Sequence, residues 1–151
     1  MQKFCNEWGK RRRINLKSMT EREARQYASC FSNISKKQEI DLIKRIKENN
    51  NAQGEICKWI LSIQDPSEKI IGKIELFDMG TKKAYLSITI PQKSWIMKYG
   101  NEAIDQIIKV CKEHKCFESI ELECNNPIIK GFIENYASVY EFSEEYVVNI
   151  A

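Results

Sequence analysis

Two lysines beside a predicted strand-to-helix junction could bind a phosphate group. The chain alternates as a strand over residues 84–90, Pro91 ends that strand, and helical periodicity predicts a helix from about Tyr99 to His114. A helix N-terminus offers unbonded backbone N–H groups and a positive dipole end, so Lys93 and Lys98 would add charge to an anion site. An ordinary turn with two solvated lysines explains the same residues equally well.

Cysteine and histidine are the other residue types that could do chemistry here. The six cysteines are scattered with no C-x-x-C pair, and Cys111, His114 and Cys116 lack the second ligand pair of a structural zinc site. His114 is the single histidine, and its place near a helix C-terminus favours contact with the exposed carbonyl groups. We therefore predict packed thiols and no metal site.

The elements that must position these residues follow the order β-α-α-β-β-β-α-β-α-β. Short turns join three consecutive strands, which predicts an antiparallel meander, and the whole pattern predicts an α+β protein with a mixed sheet. The predicted strands cover residues 12–17, 56–63, 70–77, 84–90, 117–124 and, more weakly, 140–150.

Local capping signals predict three further helices. Thr20 and Glu23 form a capping box that opens a helix through Phe31. Ser35 is predicted to cap a second helix, and Pro127 to open one that ends near Tyr136. The predicted apolar face of the second helix is Ile40, Ile43 and Ile46, with Leu42 beside it, and a loop follows over residues 49–54.

Length and charge limit the classes of function. The 151 residues predict a single domain over 1–151, with 1–10 as an ordered arm or a frayed N-terminal tail. The first residues show no apolar stretch of signal-peptide length, and the sequence shows no ~20-residue apolar run of a membrane span. We expect a cytoplasmic protein with no membrane partner.

The net charge of +3 divides into +8 for residues 1–47, +1 for 48–116 and −6 for 117–151. The cluster Lys10–Arg13 has no interleaved aromatic residues, so a solvated face is favoured over nucleic-acid binding. The acidic end, with Glu141, Glu144 and Glu145, could attract a cationic amine or simply be solvated.

The junction after Pro91 resembles the cofactor-binding motif of the GNAT acyl-CoA N-acyltransferases. Pro91, Trp95 and the run from Tyr99 to Ala103 are similar to the family's Pro…Trp-Gly-Lys-Gly-Tyr-Gly/Ala-Thr-Glu-Ala pattern. The run from Gly72 to Leu76 and Asn125, seven residues before Phe132, most resemble the ribosomal-protein N-acetyltransferase-like branch. With the order of elements, the resemblance spans about residues 12–148.

The resemblance implies a twisted, mostly antiparallel central sheet flanked by about four helices, and acetyl-CoA as cofactor. Backbone groups around the end of the fourth strand would pair with the pantetheine arm and stabilise the thioester oxyanion, a loop would cradle the pyrophosphate, and an asparagine would face the pantetheine. The residues that match these roles are Ile88, Thr89 and Ile90 for the strand, Met97, Lys98, Tyr99, Gly100 and Asn101 for the loop, and Asn125 for the asparagine.

Three positions depart from the family pattern. Lys98 and Ile96 stand where the family has loop glycines, which let the backbone approach phosphates closely. Phe132 stands where the general-acid tyrosine is common, and Tyr136, one helical turn later, is the nearest replacement unless it is only a core tyrosine. Glu75 is the candidate base for the acceptor amine, with a solvated strand glutamate as the alternative.

These observations predict an N-acetyltransferase that transfers the acetyl group of acetyl-CoA to a primary amine by direct attack on the thioester. A protein N-terminus, a polyamine or another small amine could be the acceptor, and a homodimer is compatible with the resemblance. The alternative, suggested by Phe132 and Lys98, is a catalytically degenerate GNAT-like module that binds CoA or a protein partner.

Overall fold

A computed structural model describes residues 14–51 and 59–151 of the chain. The predicted tail, the Lys10–Arg13 cluster, the start of the first strand and the first residues of the 56–63 strand lie outside these ranges. The strands are β1 (Asn15–Ser18), β2 (Trp59–Gln64), β3 (Ile70–Asp78), β4 (Lys83–Thr89), β5 (Ser119–Leu122), β6 (Glu141–Glu144) and β7 (Val147–Asn149). The helices are α1 (Glu21–Cys30), α2 (Lys36–Asn51), α3 (Lys93–His114) and α4 (Pro127–Tyr136).

The seven strands of the described residues form one sheet in the order β1-β2-β3-β4-β5-β7-β6. The pair β4–β5 is parallel and the five other pairs are antiparallel, with β2, β3 and β4 as the predicted meander. The prediction of an α+β fold with a mostly antiparallel mixed sheet and four helices is therefore confirmed.

Helices α1 and α2 begin where their capping residues predict. The Glu23 N–H donates to Thr20 Oγ1 over 3.1 Å, and the Thr20 N–H donates to the Glu23 carboxylate over 2.9 Å. Ser35 and Gln38 make the same reciprocal pair at the start of α2, with distances of 3.1 and 2.7 Å. Each box satisfies two helix-end donors that would otherwise need water.

The predicted apolar face of α2 is partly wrong. Ile40 is 55% exposed, whereas Leu42 and Ile46 are buried and Ile43 is half-buried against them. Leu42 and Ile46 stand four residues apart and therefore share one helix face, which packs against α1 and the sheet. The helix also continues to Asn51, so residues 49–51, which were predicted as loop, are helical, and residues 52–54 of that predicted loop lie outside the described ranges.

Two apolar clusters cover the opposite faces of the sheet. One joins strand residues to α3 and α4, and the other joins Ile60 and Ile70 to α1 and α2. The adjacent residues Ile60 and Leu61 of β2 belong to different clusters, as the alternation of a strand requires. The helices thus clamp the sheet from both sides. None of the described helices combines the length and apolarity that crossing a bilayer requires.

Helix α3 begins at Lys93, six residues before the predicted start at Tyr99. The segment 93–98 contains no glycine or proline, and two of its three apolar residues, Trp95 and Ile96, pack against the core, whereas Met97 is exposed. Trp95 packs edge-on against Phe31 at 6.2 Å, and Ile96 and Tyr99 join the main core. Without the family's loop glycines, nothing in this segment opposes a helix.

Candidate active site

Strands β4 and β5 stop pairing near the middle of the sheet and leave a cleft between them. Their parallel register runs from Lys83 beside Ser119 to Leu86 beside Leu122, and the Glu123 N–H donates to the Leu86 carbonyl over 3.0 Å. Beyond that bond β4 continues, while the segment that follows β5 turns away from it at Asn125, whose φ is 60°. We call the resulting space, about 290 Å³ in volume, the strand cleft.

The wall formed by β4 offers backbone hydrogen-bonding groups. Because Leu86 bonds toward β5, the alternation of the strand directs the N–H and C=O groups of Ile88 and Ile90 to the same edge. Thr89 lies opposite Lys73 on β3 and lines the strand cleft. A Cβ at Gly72 would lie 2.4 Å from the Thr89 carbonyl oxygen, so glycine there lets β3 lie close behind this wall.

The opposite wall is organised by Asn126, which the sequence analysis did not single out. Its Nδ2 donates to the Ile88 carbonyl over 2.9 Å and to the Glu123 carboxylate over 2.7 Å, and its Oδ1 accepts from the Ile128 N–H. Asn126 therefore caps α4 and bridges the cleft at once. The signal was present in the sequence, because Asn before Pro127 is the expected cap for a helix that begins with proline.

Asn125, the residue that the resemblance pointed to, also lines the strand cleft. It is exposed, and its left-handed backbone conformation forms the turn between β5 and α4. Asn tolerates this conformation better than most residues. Asn125 is therefore placed where a bound molecule could reach its side chain.

The five residues from Met97 to Asn101 form a helical turn of α3 rather than a loop. Their N–H groups lie inside the helix, where they serve the i→i−4 bonds. Met97 and Lys98 are exposed, whereas Tyr99 and Gly100 are buried and a Cβ at Gly100 would lie 2.9 Å from Ile128 Cγ2. The structure thus does not gather these five residues around one ligand.

Within the described part of the chain, the N–H groups of α3 without a helix carbonyl partner lie earlier, at its first turn. Gln92 is the N-cap and makes no side-chain capping bond, while its carbonyl accepts from the N–H groups of Trp95 and Ile96. The N–H groups of Lys93 and Ser94 precede these bonded positions and point out of the helix end. This turn follows Pro91 directly, at the end of the β4 wall.

Glu75 is held in a buried ion-paired cluster. Its Oε1 accepts from Arg45 Nη2 over 2.6 Å and from Lys73 Nζ over 3.2 Å, and its side chain is 4% exposed. Burial acts to raise the pKa of Glu75, but the Lys73 charge and the bond and charge of Arg45 outweigh it, so the pKa is lowered. A carboxylate in this state accepts a further proton poorly.

Tyr136 lies at the far end of α4 from the strand cleft. Ten residues separate it from Asn126, which corresponds to about 15 Å along the helix axis. Its ring stacks on Phe132 at 4.5 Å and on Tyr140 at 6.2 Å, and the Tyr140 hydroxyl bonds Asp105. Burial, followed by the Asp105 and Glu102 charges, raises the pKa of Tyr136. The structure does not bring Tyr136 to Ile88–Ile90.

Glu123 is a carboxylate in the strand cleft that the sequence analysis did not select. It follows the last residue of β5, and its Oε1 accepts from Asn126 Nδ2 and, over 3.3 Å, from Ser87 Oγ. Its side chain is half-buried. A strand glutamate has no local motif, so only the ending of β5 beside β4 distinguishes it from other strand glutamates.

Two further spaces adjoin the strand cleft. Thr89 also lines a pocket of about 260 Å³ under α1 and α2, which we call the arginine pocket after Arg45. Asn125, Asn126 and Pro127 also line a groove of about 700 Å³ beside the β6–β7 hairpin, which we call the hairpin groove. Within the described ranges, no three His, Cys, Asp or Glu side chains are grouped to hold a metal ion.

Comparison by structure shows that this arrangement is a known fold. A Vibrio cholerae protein assigned as a ribosomal-protein-serine acetyltransferase superposes with a TM-score of 0.67 at 15% identity, over 89% of this chain and 81% of that one. The spermidine/spermine N-acetyltransferase SpeG of Vibrio cholerae gives 0.64 at 13% identity, over 87% and 80%. Mycobacterium smegmatis RimJ, in complex with CoA-disulfide, gives 0.65 at 8% identity, over 87% and 71%.

The chain therefore has the fold of the GNAT acetyltransferases. No family model matches the sequence, and no curated protein matches it by sequence. The likeness thus lies in the path of the backbone.

Proposed function

We propose that this protein is an acetyl-CoA-dependent N-acetyltransferase that acts on a primary amine. The observation that supports it most is the strand cleft, because it exposes the backbone edge of β4 in the middle of a sheet with the GNAT fold. Among the structural neighbours, SpeG is described as a spermidine/spermine N-acetyltransferase, and RimJ is in complex with CoA-disulfide. An unpaired edge inside a sheet is otherwise a liability that proteins cover.

The pantetheine arm would add to the β4 edge as a strand adds to a sheet. Its amide groups would meet the edge of Ile88 and Ile90, with the Thr89 side chain beside them and Asn125 on the opposite wall. The Ile88 carbonyl already accepts from Asn126, so the Ile88 N–H is the donor left for the ligand. This placement keeps the predicted strand residues in the site.

The cofactor phosphates would meet the first turn of α3 rather than a glycine loop. The N–H groups of Lys93 and Ser94, the positive end of the helix dipole and the Lys93 and Lys98 ammonium groups all favour an anion there. Met97 would flank the phosphates on the exposed side of that helix. Tyr99, Gly100 and Asn101 would act by setting how α3 packs against α4.

In the reaction, the amine nitrogen attacks the thioester carbonyl carbon, a C–N bond forms and the C–S bond breaks. The Ile88 N–H is placed to stabilise the negative charge that develops on the carbonyl oxygen. Coenzyme A leaves as a thiolate whose pKa is near the ~8.5 of an ordinary thiol. No tyrosine acid is needed in this scheme, which agrees with Phe132 in the core and Tyr136 outside the cleft.

As the amide forms, the nitrogen gives up one proton, which the departing thiolate takes up through solvent. Before it attacks, the nitrogen must lose another proton, because an alkyl ammonium has a pKa near ~10.4. We assign this proton to Glu123, directly or through one water, since its carboxylate lines the cleft beside Ile88. The Ser87 hydroxyl and the Asn126 amide hold the Glu123 carboxylate in place by hydrogen bonds. Glu75, the base predicted from the sequence, would have to break its ion pairs with Arg45 and Lys73 to accept a proton from the amine.

The competing function is a GNAT-like module that binds a cofactor or partner without turnover. Two observations favour it: the helical start of α3 where the family has a glycine loop, and a buried phenylalanine at the position of the general acid. It predicts cofactor binding without release of free CoA thiol in the presence of any amine.

Thermal unfolding with acetyl-CoA, CoA and ATP tests the cofactor site first. A ligand at 100 times its Kd should stabilise the fold by about 2.7 kcal/mol, which raises Tm by roughly 5–10 °C for a domain of this size. A rise with acetyl-CoA and CoA but not with ATP supports the site. No rise with either thioester or thiol contradicts the proposal.

Thiol release in a panel of primary amines then tests catalysis. Glu123→Gln should lower kcat by roughly 10²- to 10⁴-fold, the usual contribution of a general base. Glu121→Gln is the matched control, because Glu121 lies two residues earlier on β5 and pairs with Lys83 outside the cleft. Equal activity of the two variants would remove Glu123 from the mechanism.

A further inference from the structure

The arginine pocket has a charge pattern that selects among acceptors. It lies between the α1–α2 side of the molecule and the end of β4, and Thr89 lines both this pocket and the strand cleft. A molecule in the arginine pocket would therefore sit next to the site proposed for the thioester.

The inner wall of the pocket carries an excess of positive charge. Arg45 and Lys73 both line it, and both are paired with one oxygen of the same carboxylate, Glu75, behind the wall. The cluster of three charged groups therefore has a net charge of +1. The side chains are 33% exposed for Arg45 and 15% for Lys73, so solvent screens them less than it screens surface lysines.

Arg45 is only partly neutralised within this cluster. Its Nη2 donates to Glu75, but its Nε–H is shielded from solvent and has no hydrogen-bond partner in the part of the chain that is described. A buried donor without an acceptor is unfavourable, and a nearby anion would reduce that cost through the charge of the guanidinium. The cluster is thus incomplete as a purely structural ion pair.

The other polar groups of the pocket do not cancel this charge. Tyr27 is buried, and burial followed by the Glu75 charge raises its pKa, so its hydroxyl stays neutral. Asn33, Gln38 and Thr89 contribute neutral polar groups. Among the described residues that line the pocket, Asp41 is the single acidic one, and it is exposed, where water screens its charge.

Resting on the proposed transferase function, we infer that the arginine pocket binds a carboxylate group of the acceptor, so that the preferred acceptors are primary amines that also carry a carboxylate. The carboxylate would accept charge-assisted hydrogen bonds from Lys73 and Arg45 while the amine points past Thr89 toward the strand cleft. This is opposite to the cationic acceptor that the acidic C-terminal residues suggest. Glu141 and Glu144 lie on β6, the strand at the far edge of the sheet, and Glu145 lines the hairpin groove rather than the arginine pocket.

A set of three amines of equal chain length tests the inference. The set is 3-aminopropanoate, propylamine and 1,3-diaminopropane, with thiol release as the readout. We expect kcat/KM to be on the order of 10- to 100-fold higher for 3-aminopropanoate than for propylamine, the range that charge-assisted hydrogen bonds support. A wild-type preference for propylamine or for the diamine overturns the inference.

Variants that change the charge of the cluster in opposite directions sharpen the test. Lys73→Met makes the cluster neutral and should abolish the preference for the carboxylate, while Glu75→Gln raises its charge to +2 and should keep or increase the preference. Lys44→Met is the matched control, because Lys44 is exposed on α2 beside Arg45 and does not line the pocket. A preference that survives Lys73→Met, or that Lys44→Met removes equally, overturns the inference.

A binding measurement separates this inference from the transferase proposal. Sodium propanoate, which has the carboxylate but no amine, is titrated into the full chain against sodium chloride of equal ionic strength, with backbone amide resonances of Lys73 and Thr89 as the readout. If no amine is acetylated, the transferase proposal fails. Even then, resonance shifts caused by propanoate in the wild type and abolished by Lys73→Met support the anion site. If propanoate shifts the resonances no more than the sodium chloride control does, the anion site is overturned.

Discussion

The two walls of the strand cleft are built in different ways. On one side, α4 begins at a cap whose side chain makes three hydrogen bonds, two of them to groups outside its own helix. On the other side, β4 ends in an unpaired edge, and α3 begins at Gln92 without any side-chain capping bond. One wall is thus internally satisfied, whereas the other keeps free N–H groups.

This difference indicates a division of labour between the walls. The satisfied wall fixes the width of the cleft, because Asn126 spans it from α4 to the Ile88 carbonyl. The unsatisfied wall has backbone N–H groups that can donate hydrogen bonds to a ligand, both along β4 and at the first turn of α3. Substitutions on the two walls should therefore affect different properties, stability on one and ligand binding on the other.

The largest effect is expected behind the β4 wall, at Glu75. Glu75→Gln leaves Arg45 and Lys73 without their counter-ion and should lower the free energy of unfolding by about 3 kcal/mol at pH 7. Because the folded pKa of Glu75 is lowered, its ion pairs stabilise the fold above its unfolded pKa of about 4.5 and are lost as the pH falls through the folded value.

Denaturant unfolding of wild type and Glu75→Gln between pH 3 and pH 7 measures this. The difference between the two proteins should be constant near neutral pH and shrink below about pH 4.5. A difference that stays the same down to pH 3 would mean that Glu75 does not titrate in this range and that its pairing is not the source of the loss.

The next effect is expected on the satisfied wall. Asn126→Ala removes the cap of α4 and the bridge to Ile88, and should lower the free energy of unfolding by about 2 kcal/mol and Tm by roughly 4–8 °C. Gln92→Ala, at the corresponding position of α3, should change Tm little because it removes no capping bond. An equal fall in Tm for Asn126→Ala and Gln92→Ala would show that the two walls do not differ in how their helix ends are stabilised.

A smaller effect with opposite signs is expected where the two helices meet. Gly100→Ala places a Cβ 2.9 Å from the β-branched Ile128 and should lower the free energy of unfolding by about 1 kcal/mol despite the helix preference of alanine. Gly131→Ala on α4 meets its nearest atom, Asn101 Oδ1, at 3.9 Å and should raise it by about 0.5–1 kcal/mol. Thermal unfolding of both variants measures the two signs.

The smallest stability effect, but a diagnostic one, is expected at Gln92. Both Gln92→Asn and Gln92→Asp supply a capping side chain and should stabilise α3 by about 0.5–1 kcal/mol. Only the aspartate adds a negative charge beside the Lys93 and Ser94 N–H groups, so it should weaken binding of acetyl-CoA several-fold while the asparagine does not. Equal cofactor affinities would place the phosphates away from this turn.

The sequence predicts the fold best where local chemistry decides the structure. The capping box at Thr20 and the proline at the start of α4 specify their helices through neighbouring residues, and both helices begin where predicted. The predicted start of α3 was wrong because helical periodicity marks only the later, buried part of the helix, whereas its first turns include the exposed residues Lys93, Met97 and Lys98. Ile40 was assigned to the core because periodicity alone does not reveal which side of a helix is covered.

The candidate site was harder to predict, because its geometry depends on residues far apart in the chain. Glu75 meets Arg45 across 30 residues and Ser87 meets Glu123 across 36, and neither pairing leaves a local signal. The sequence could locate the strand edge at Ile88–Ile90 and the turn at Asn125, but the proton acceptor depends on where β5 stops beside β4.

The parallel pairing of β4 with β5 also has a consequence for how the protein assembles. The meander from β2 to β4 joins neighbours along the chain, whereas residues 83–86 can meet 119–122 only after the 22-residue helix α3 has crossed over the sheet. Bringing the ends of that long connection together lowers the entropy of the chain before the β4–β5 contacts that stabilise the pair have formed. The cleft should therefore be among the last parts of the sheet to fold. In native-state hydrogen exchange, the amide of Glu123 should accordingly open at lower free energy than those at the centre of β3.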